Sequence, residues 1–111
     1  MFAGAGSSLQ SPVIIFSKTY CPHSKRAKSI LLEKYSIVPP PYVCELDTHA
    51  LGPGLQEALL KATGRRTVPN VLISGRSIGG GDEIAKLDED GELIEKIKKM
   101  GGKRIMQASK T

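Results

Sequence analysis

Consecutive rather than alternating apolar residues open the folded part of this chain. S-P-V-I-I-F-S, residues 11–17, is a run of β-branched and aromatic side chains that suits a strand covered on both faces. The run stops at the polar Lys18 and Thr19, and Pro22 stands where a helix would begin, a position at which its missing N–H costs nothing. From there Ala27, Ile30, Leu31 and the Lys34–Tyr35 pair follow helical spacing, which predicts a helix to about Ser36. V-P-P-P-Y, residues 38–42, excludes helix and leads into a second strand, Y-V-C-E-L, residues 42–46. A helix between two strands implies a parallel crossover.

After the loop D-T-H-A-L-G-P-G, the residues Leu55, Ala58, Leu59 and Ala62 recur at helical spacing, with Gly64 placed to end a second helix. Two short apolar runs around Ser74–Gly75 predict a hairpin, Val71–Ile73 against Ser77–Ile78, which turns the parallel pair into a mixed sheet. Two further helices carry Ile84 and Leu87, then Leu93, Ile94 and Ile97, with Gly91 at the break. The predicted order is β-α-β-α-β-β-α-α, without internal repeats.

Composition narrows the class. With 111 residues, 40% hydrophobic and 24% charged, the chain suits one domain with one core. Residues 1–10 read as a small, polar lead-in, residues 11–103 as the domain, and residues 104–111 as a basic tail. No window approaches the roughly 20 apolar residues of a membrane span, so a soluble domain is expected. The net charge of +5 does not argue for nucleic acid, because there is no Trp and much of the excess lies in the C-terminal K-I-K-K-M-G-G-K-R. Two cysteines are too few for a disulfide framework.

The chemistry concentrates at F-S-K-T-Y-C-P-H-S, residues 16–24. Cys21 falls between a buried strand and a helix, where the helix dipole and unpaired N–H groups stabilise a thiolate. Lys18, Lys25 and Arg26 add positive charge, so Cys21 is expected to be a nucleophile rather than a small buried hydrophobe. Cys44, amid apolar neighbours, is expected to be inert. Ser24 stands where a C-x-x-C pair would have its second sulfur, and a hydroxyl cannot resolve a mixed disulfide. Exchange at Cys21 therefore needs an external thiol. His49 has no metal-spaced partners, and no zinc site is expected. On their own, Pro69 reads as a turn proline opening a strand, the G-G-G-D-E run (79–83) as a turn before a helix that could hold an anion, and Arg65 as a solvated surface residue.

F-S-K-T-Y-C-P-H-S, T-G-R-R-T-V-P-N-V-L-I-S-G and S-I-G-G-G-D-E-I, in that order and with these elements between them, resemble the glutaredoxins of the C-P-x-S kind. The resemblance runs from Ser11 to about Lys99. It is nearest to the fungal monothiol glutaredoxins of the early secretory pathway, whose N-terminal membrane anchor would lie upstream of this chain; a cytoplasmic location is the alternative. The resemblance implies an α/β, thioredoxin-like fold with a four-stranded mixed sheet flanked by helices. It also implies a glutathione-dependent oxidoreductase that reduces protein–glutathione mixed disulfides by a monothiol mechanism, with Cys21 catalytic.

By the same resemblance Pro69 is cis and Val68 pairs its backbone with the cysteinyl part of glutathione, flanked by Thr67. Gly81, Asp82 and Glu83 hold the γ-glutamyl end, and Lys18, Gln56 and Arg66 the glycyl carboxylate. Tyr20 and His23 border the site, and His23 either contacts glutathione or is an exposed ring without function. The implied partners are glutathione, glutathionylated proteins and, indirectly, glutathione reductase, with the chain acting as a monomer and binding no nucleic acid. The alternative implied role is a dimer holding a [2Fe–2S] cluster through Cys21 and glutathione, which Pro22 disfavours.

Overall fold

A computed structural model describes residues 11–111. The expected lead-in, residues 1–10, lies outside the described residues. The elements are β1 (Val13–Ser17), α1 (Pro22–Ser29), a π-helical turn (Ile30–Lys34), β2 (Tyr35–Val38), β3 (Tyr42–Glu45) and α2 (Gly52–Thr63). They continue with β4 (Asn70–Ile73), β5 (Arg76–Gly79), α3 (Gly81–Glu89), α4 (Leu93–Gly101), a 3-10 turn (Gly102–Arg104) and β6 (Gln107–Lys110).

The main sheet has the order β3-β1-β4-β5. β1 runs parallel to β3, with Phe16 opposite Cys44, and antiparallel to β4, with Ile15 opposite Val71. The unbroken apolar run of β1 is explained by this central position, because alternate residues serve two different cores. Val13 and Ile15 join Val71 and Ile73 against Ile30 and Leu31, against Ile84 of α3, and against Leu93 and Ile97 of α4. On the opposite face Phe16, Cys44, Leu46 and Leu72 pack with Leu59 of α2. Each such fully buried aliphatic side chain contributes about 1.5–3 kcal/mol relative to exposure. The fold is thioredoxin-like, as expected. Among the described residues no helix is long and apolar enough to cross a membrane.

The local signals act where their chemistry places them. Pro22 and Pro53 sit in the first turns of α1 and α2, and Gly64 ends α2 in the left-handed conformation at φ 76°. The β4–β5 hairpin turns through Ser74 and Gly75, both at positive φ, the geometry that suits a two-residue connection. Gly52 lies against the Leu46 carbonyl so closely that no β-carbon fits there.

Two expectations are corrected. The helix predicted to Ser36 stops at Ser29, passes through the wider turn Ile30–Lys34, and becomes a strand at Tyr35. The turn keeps Ile30, Leu31 and Tyr35 buried, so the apolar spacing is satisfied without a continuing α-helix. β2 exists because it has a distant partner: residues 107–110, within the expected basic tail, form β6 and pair antiparallel with it, Tyr35 opposite Lys110 and Ile37 opposite Ala108. Asp88 of α3 fastens this second sheet, accepting hydrogen bonds from the Tyr35 hydroxyl (2.6 Å) and Lys34 (3.1 Å) and pairing with Lys110 (3.4 Å).

Candidate active site

Cys21 occupies the N-cap of α1 in extended conformation, its N–H donating to the Lys18 carbonyl (3.2 Å) and its carbonyl accepting from Lys25 N–H (3.0 Å). Its half-buried thiol points at the carbonyl of Val68, with Sγ 3.9 Å from the oxygen. The bond between Val68 and Pro69 is cis, in agreement with the family pattern; the bond between Val38 and Pro39 is cis as well. Burial pushes the Cys21 thiol up, but the Ser24 N–H, the Ser24 hydroxyl, the His23 N–H and the Lys18 charge together outweigh it. The thiol therefore lies below its ordinary value. Cys44 behaves oppositely: it is buried, and burial aided by the Glu45 charge raises it.

Ser24 is fully enclosed, unlike the exposed residues beside it. Its hydroxyl oxygen accepts the Lys18 N–H at 3.3 Å, tying the turn before the cysteine to the helix after it. Asp47, which sequence reasoning passed over, anchors the same turn from outside. Its carboxylate accepts the Thr19 N–H at 3.0 Å and, on the other oxygen, the Thr19 hydroxyl. These bonds, the hydroxyl first, hold the Asp47 carboxyl below the usual carboxylate range. The available signal was its position just past the end of a strand in E-L-D, where a short carboxylate reaches the neighbouring strand's loop.

The remaining candidates divide. Gly81 begins α3 against His23, since a β-carbon on Gly81 would lie 3.1 Å from the His23 carbonyl oxygen and 3.3 Å from its Cβ. The α1 and α3 N-termini thus meet beside Cys21. Asp82 is exposed and makes a long pair with Arg26 at 3.6 Å. Tyr20, His23, Thr67 and Arg66 are exposed, while Lys18 and Val68 are half-buried. The Gln56 side-chain amide donates to the Arg66 carbonyl (3.1 Å), placing these two residues side by side along a groove they share with Pro53 and Leu60.

Glu83 and Arg65 are drawn together, and Arg65 is half-buried rather than the solvated surface residue expected. Glu83 turns back on its own helix start, accepting the Gly80 N–H at 2.6 Å, and Arg65 reaches the same oxygen at 3.3 Å. The Gly80 N–H foremost, with help from Arg65, holds the Glu83 carboxyl low despite some burial. Asn70, also missed, is buried next to the cis-proline, donating to the Thr63 hydroxyl and accepting from Ser77. His49 accepts the Leu51 N–H, and among the described residues no three His, Cys, Asp or Glu side chains are grouped to hold a metal ion.

A stabilised thiol at a helix N-terminus, facing a cis-proline turn on this sheet, defines a thiol–disulfide site of the thioredoxin-like class. The chain belongs to the glutaredoxin family, whose profile, described as "Glutaredoxin", matches residues 13–78. It is 52% identical over 90 residues to monothiol glutaredoxin-7 of Saccharomyces cerevisiae, covering 81% of this chain and 44% of that protein. It is 44% identical over 91 residues to glutaredoxin-C4 of Arabidopsis thaliana, covering 82% of this chain and 65% of that one. The chain thus spans less than two thirds of either relative. Among solved structures it is similar to a buckwheat glutaredoxin–glutathione complex, with a TM-score of 0.69, 37% identity and 86% of each chain covered. It is also similar to the holo form of glutaredoxin C1 from Populus tremula x tremuloides, with a TM-score of 0.70, 39% identity, and 85% of this chain and 92% of that one covered.

Proposed function

We propose that this protein reduces protein–glutathione mixed disulfides with glutathione as co-substrate, through Cys21 alone. The observation that carries the reading is the pairing of a stabilised thiol at the α1 N-cap with an enclosed hydroxyl, Ser24, where a resolving sulfur would be. The Cys21 thiolate attacks the glutathione sulfur of the mixed disulfide. That S–S bond breaks, the substrate thiolate leaves and takes a proton from water, and Cys21 becomes glutathionylated. A second glutathione thiolate attacks the sulfur of the bound glutathione, releasing oxidised glutathione and restoring the Cys21 thiolate. Oxidised glutathione is returned to the thiol by glutathione reductase and NADPH.

The Val68 backbone beside the thiol supports a role in pairing the cysteinyl part of glutathione, by strand-like hydrogen bonds. The Gly80–Asp82 turn at the α3 N-terminus supports a role in taking the γ-glutamyl carboxylate, with exposed Asp82 for its ammonium. Lys18, Gln56 and Arg66 supply donors for the glycyl carboxylate. Location in the early secretory pathway is part of the proposal and rests on the resemblance to the fungal monothiol branch; localisation of the tagged full-length protein tests it.

The test is reduction of a glutathionylated peptide, coupled to glutathione reductase and NADPH, with wild type and Cys21→Ser side by side. Turnover by wild type that the variant loses supports the reading, and equal rates refute it. The competing role, a [2Fe–2S] cluster shared by two chains, would draw one thiolate from each Cys21 and two from glutathione. Pro22 directly after Cys21 stiffens the chain at the ligand and weighs against it. A visible absorption band after anaerobic reconstitution, combined with absence of turnover, would reverse the preference.

A further inference from the structure

We propose that Glu83 and Arg65 form a clamp that positions the Gly80–Asp82 turn opposite Val68, so that Glu83 acts on glutathione only through this turn; the inference rests on the glutathione reading above. Glu83 Oε1 is occupied from two sides, by the Gly80 N–H at 2.6 Å and by Arg65 Nη2 at 3.3 Å. The turn is threaded between these groups. A β-carbon on Gly79 would lie 2.6 Å from Glu83 Cβ and Cγ, and one on Gly80 would lie 2.9 Å from the Pro69 carbonyl oxygen and 3.0 Å from Arg65 Nη1. Gly79 is at φ 114°, a conformation other residues rarely adopt.

The clamp is anchored at its far end. The Arg65 N–H donates to the Thr63 hydroxyl oxygen at 3.2 Å, which also accepts from the Asn70 amide at 3.2 Å while its own proton goes to the Leu59 carbonyl at 2.7 Å. Asn70 in turn accepts the Ser77 hydroxyl at 2.6 Å, and the Ser77 oxygen accepts the Gly79 N–H at 3.2 Å. Two routes therefore join the end of α2 to the turn: one through Arg65 and Glu83, the other through Thr63, Asn70 and Ser77. Val68–Pro69 and Gly80–Asp82, which would hold the two halves of glutathione, are thereby fixed as one unit. With Glu83 held by both Arg65 and the Gly80 N–H, Asp82, exposed and only loosely paired with Arg26 at 3.6 Å, is the carboxylate more open to an ammonium group.

The full chain is assayed with a glutathionylated peptide. Because the pair is partly exposed, Arg65→Ala should raise KM by about two- to fivefold. The kcat and the pH midpoint of Cys21 ionisation should stay unchanged, and Arg65→Lys should restore most of the loss. Glu83→Gln keeps an acceptor for Gly80 but loses the charge, and should match Arg65→Ala. In the double variant the effects should not add, because both changes break one contact. A KM for Arg65→Ala equal to that of wild type overturns the clamp. So does a Glu83→Gln effect that persists undiminished in the Arg65→Ala background, since it would place Glu83 in direct contact with glutathione. A wild type without turnover overturns the functional reading and the clamp together, whereas turnover with an unmoved KM overturns the clamp alone.

Discussion

Replacing Ser24 by Ala removes one oxygen from the site, both the donor to the thiolate and the acceptor of the Lys18 N–H. The Ser24 and His23 N–H groups and the Lys18 charge remain, so only the hydroxyl's share of thiolate stabilisation is lost. A hydrogen bond to a charged acceptor contributes about 1.5–3 kcal/mol, and the half-buried thiolate, which water can partly reach, belongs at or below the lower end. Losing this hydrogen bond should raise the Cys21 thiol. The assay is thiolate ultraviolet absorbance against pH, with the Cys21→Ser spectrum subtracted to remove Cys44 and the tyrosines. Nucleophilicity rises with thiol pKa at a Brønsted slope of about 0.4–0.5, so the kinetic signature changes sign with pH. Well below both midpoints the Ser24→Ala attack rate should fall by about threefold, and well above them it should rise by about threefold. A midpoint unmoved by the substitution would refute the assignment of Ser24 as a thiolate donor, and parallel rate profiles would refute the nucleophilicity argument.

Three further outcomes follow from the geometry. Lys18→Ala should raise the Cys21 thiol and weaken binding of the glutathionylated peptide, and an unchanged thiolate titration would contradict the first half. Deleting residues 107–111 should destabilise the fold by several kcal/mol in denaturant titrations, because it unpairs β2, uncovers Ile37 and removes Lys110 from Asp88; an unchanged midpoint would restore the view of this segment as a tail. The Tyr35–Asp88 pair gives stability two edges in pH. Asp88, held low chiefly by the Tyr35 hydroxyl and then by Lys34 and Lys110, contributes fully above the ordinary carboxylate value and loses its contribution as pH falls through its lower folded value. Tyr35, pushed up to about 12 by burial and then by Asp88, contributes fully below the ordinary phenol value of about 10 and loses its contribution as pH rises through about 12. Tyr35→Phe should therefore abolish the alkaline loss specific to this pair, read by denaturant titration at each pH; retention of the same alkaline slope would refute it.

The main sheet was legible because β1, β3 and β4 are short apolar runs whose burial does not depend on detail elsewhere, and because Pro22, Gly64 and Ser74–Gly75 mark their own boundaries. β2 and β6 were not, since each depends on a partner about seventy residues away, and β6 buries only Ala108. Spacing alone could not separate a helix reaching Tyr35 from a π turn followed by a strand, because both bury Ile30, Leu31 and Tyr35. At the site, the chemistry of Cys21 and Lys18 could be read from charge and position along the chain. The contact between Glu83 and Arg65 was not legible, because it forms across a glycine turn that brings Pro69 and Gly80 together, and no local pattern encodes that approach.

The pairing of β2 with β6 also bears on the order in which the molecule is completed during synthesis. Chains emerge N-terminus first, and the four-stranded sheet has all its strands once residue 79 is available. β2 then stays an open edge, with the Asp88 carboxylate lacking one of its two lysines, until residues 107–110 are available to pair with it. Open edges invite pairing with other chains. β6 therefore closes the nascent domain by covering the edge that β2 leaves open.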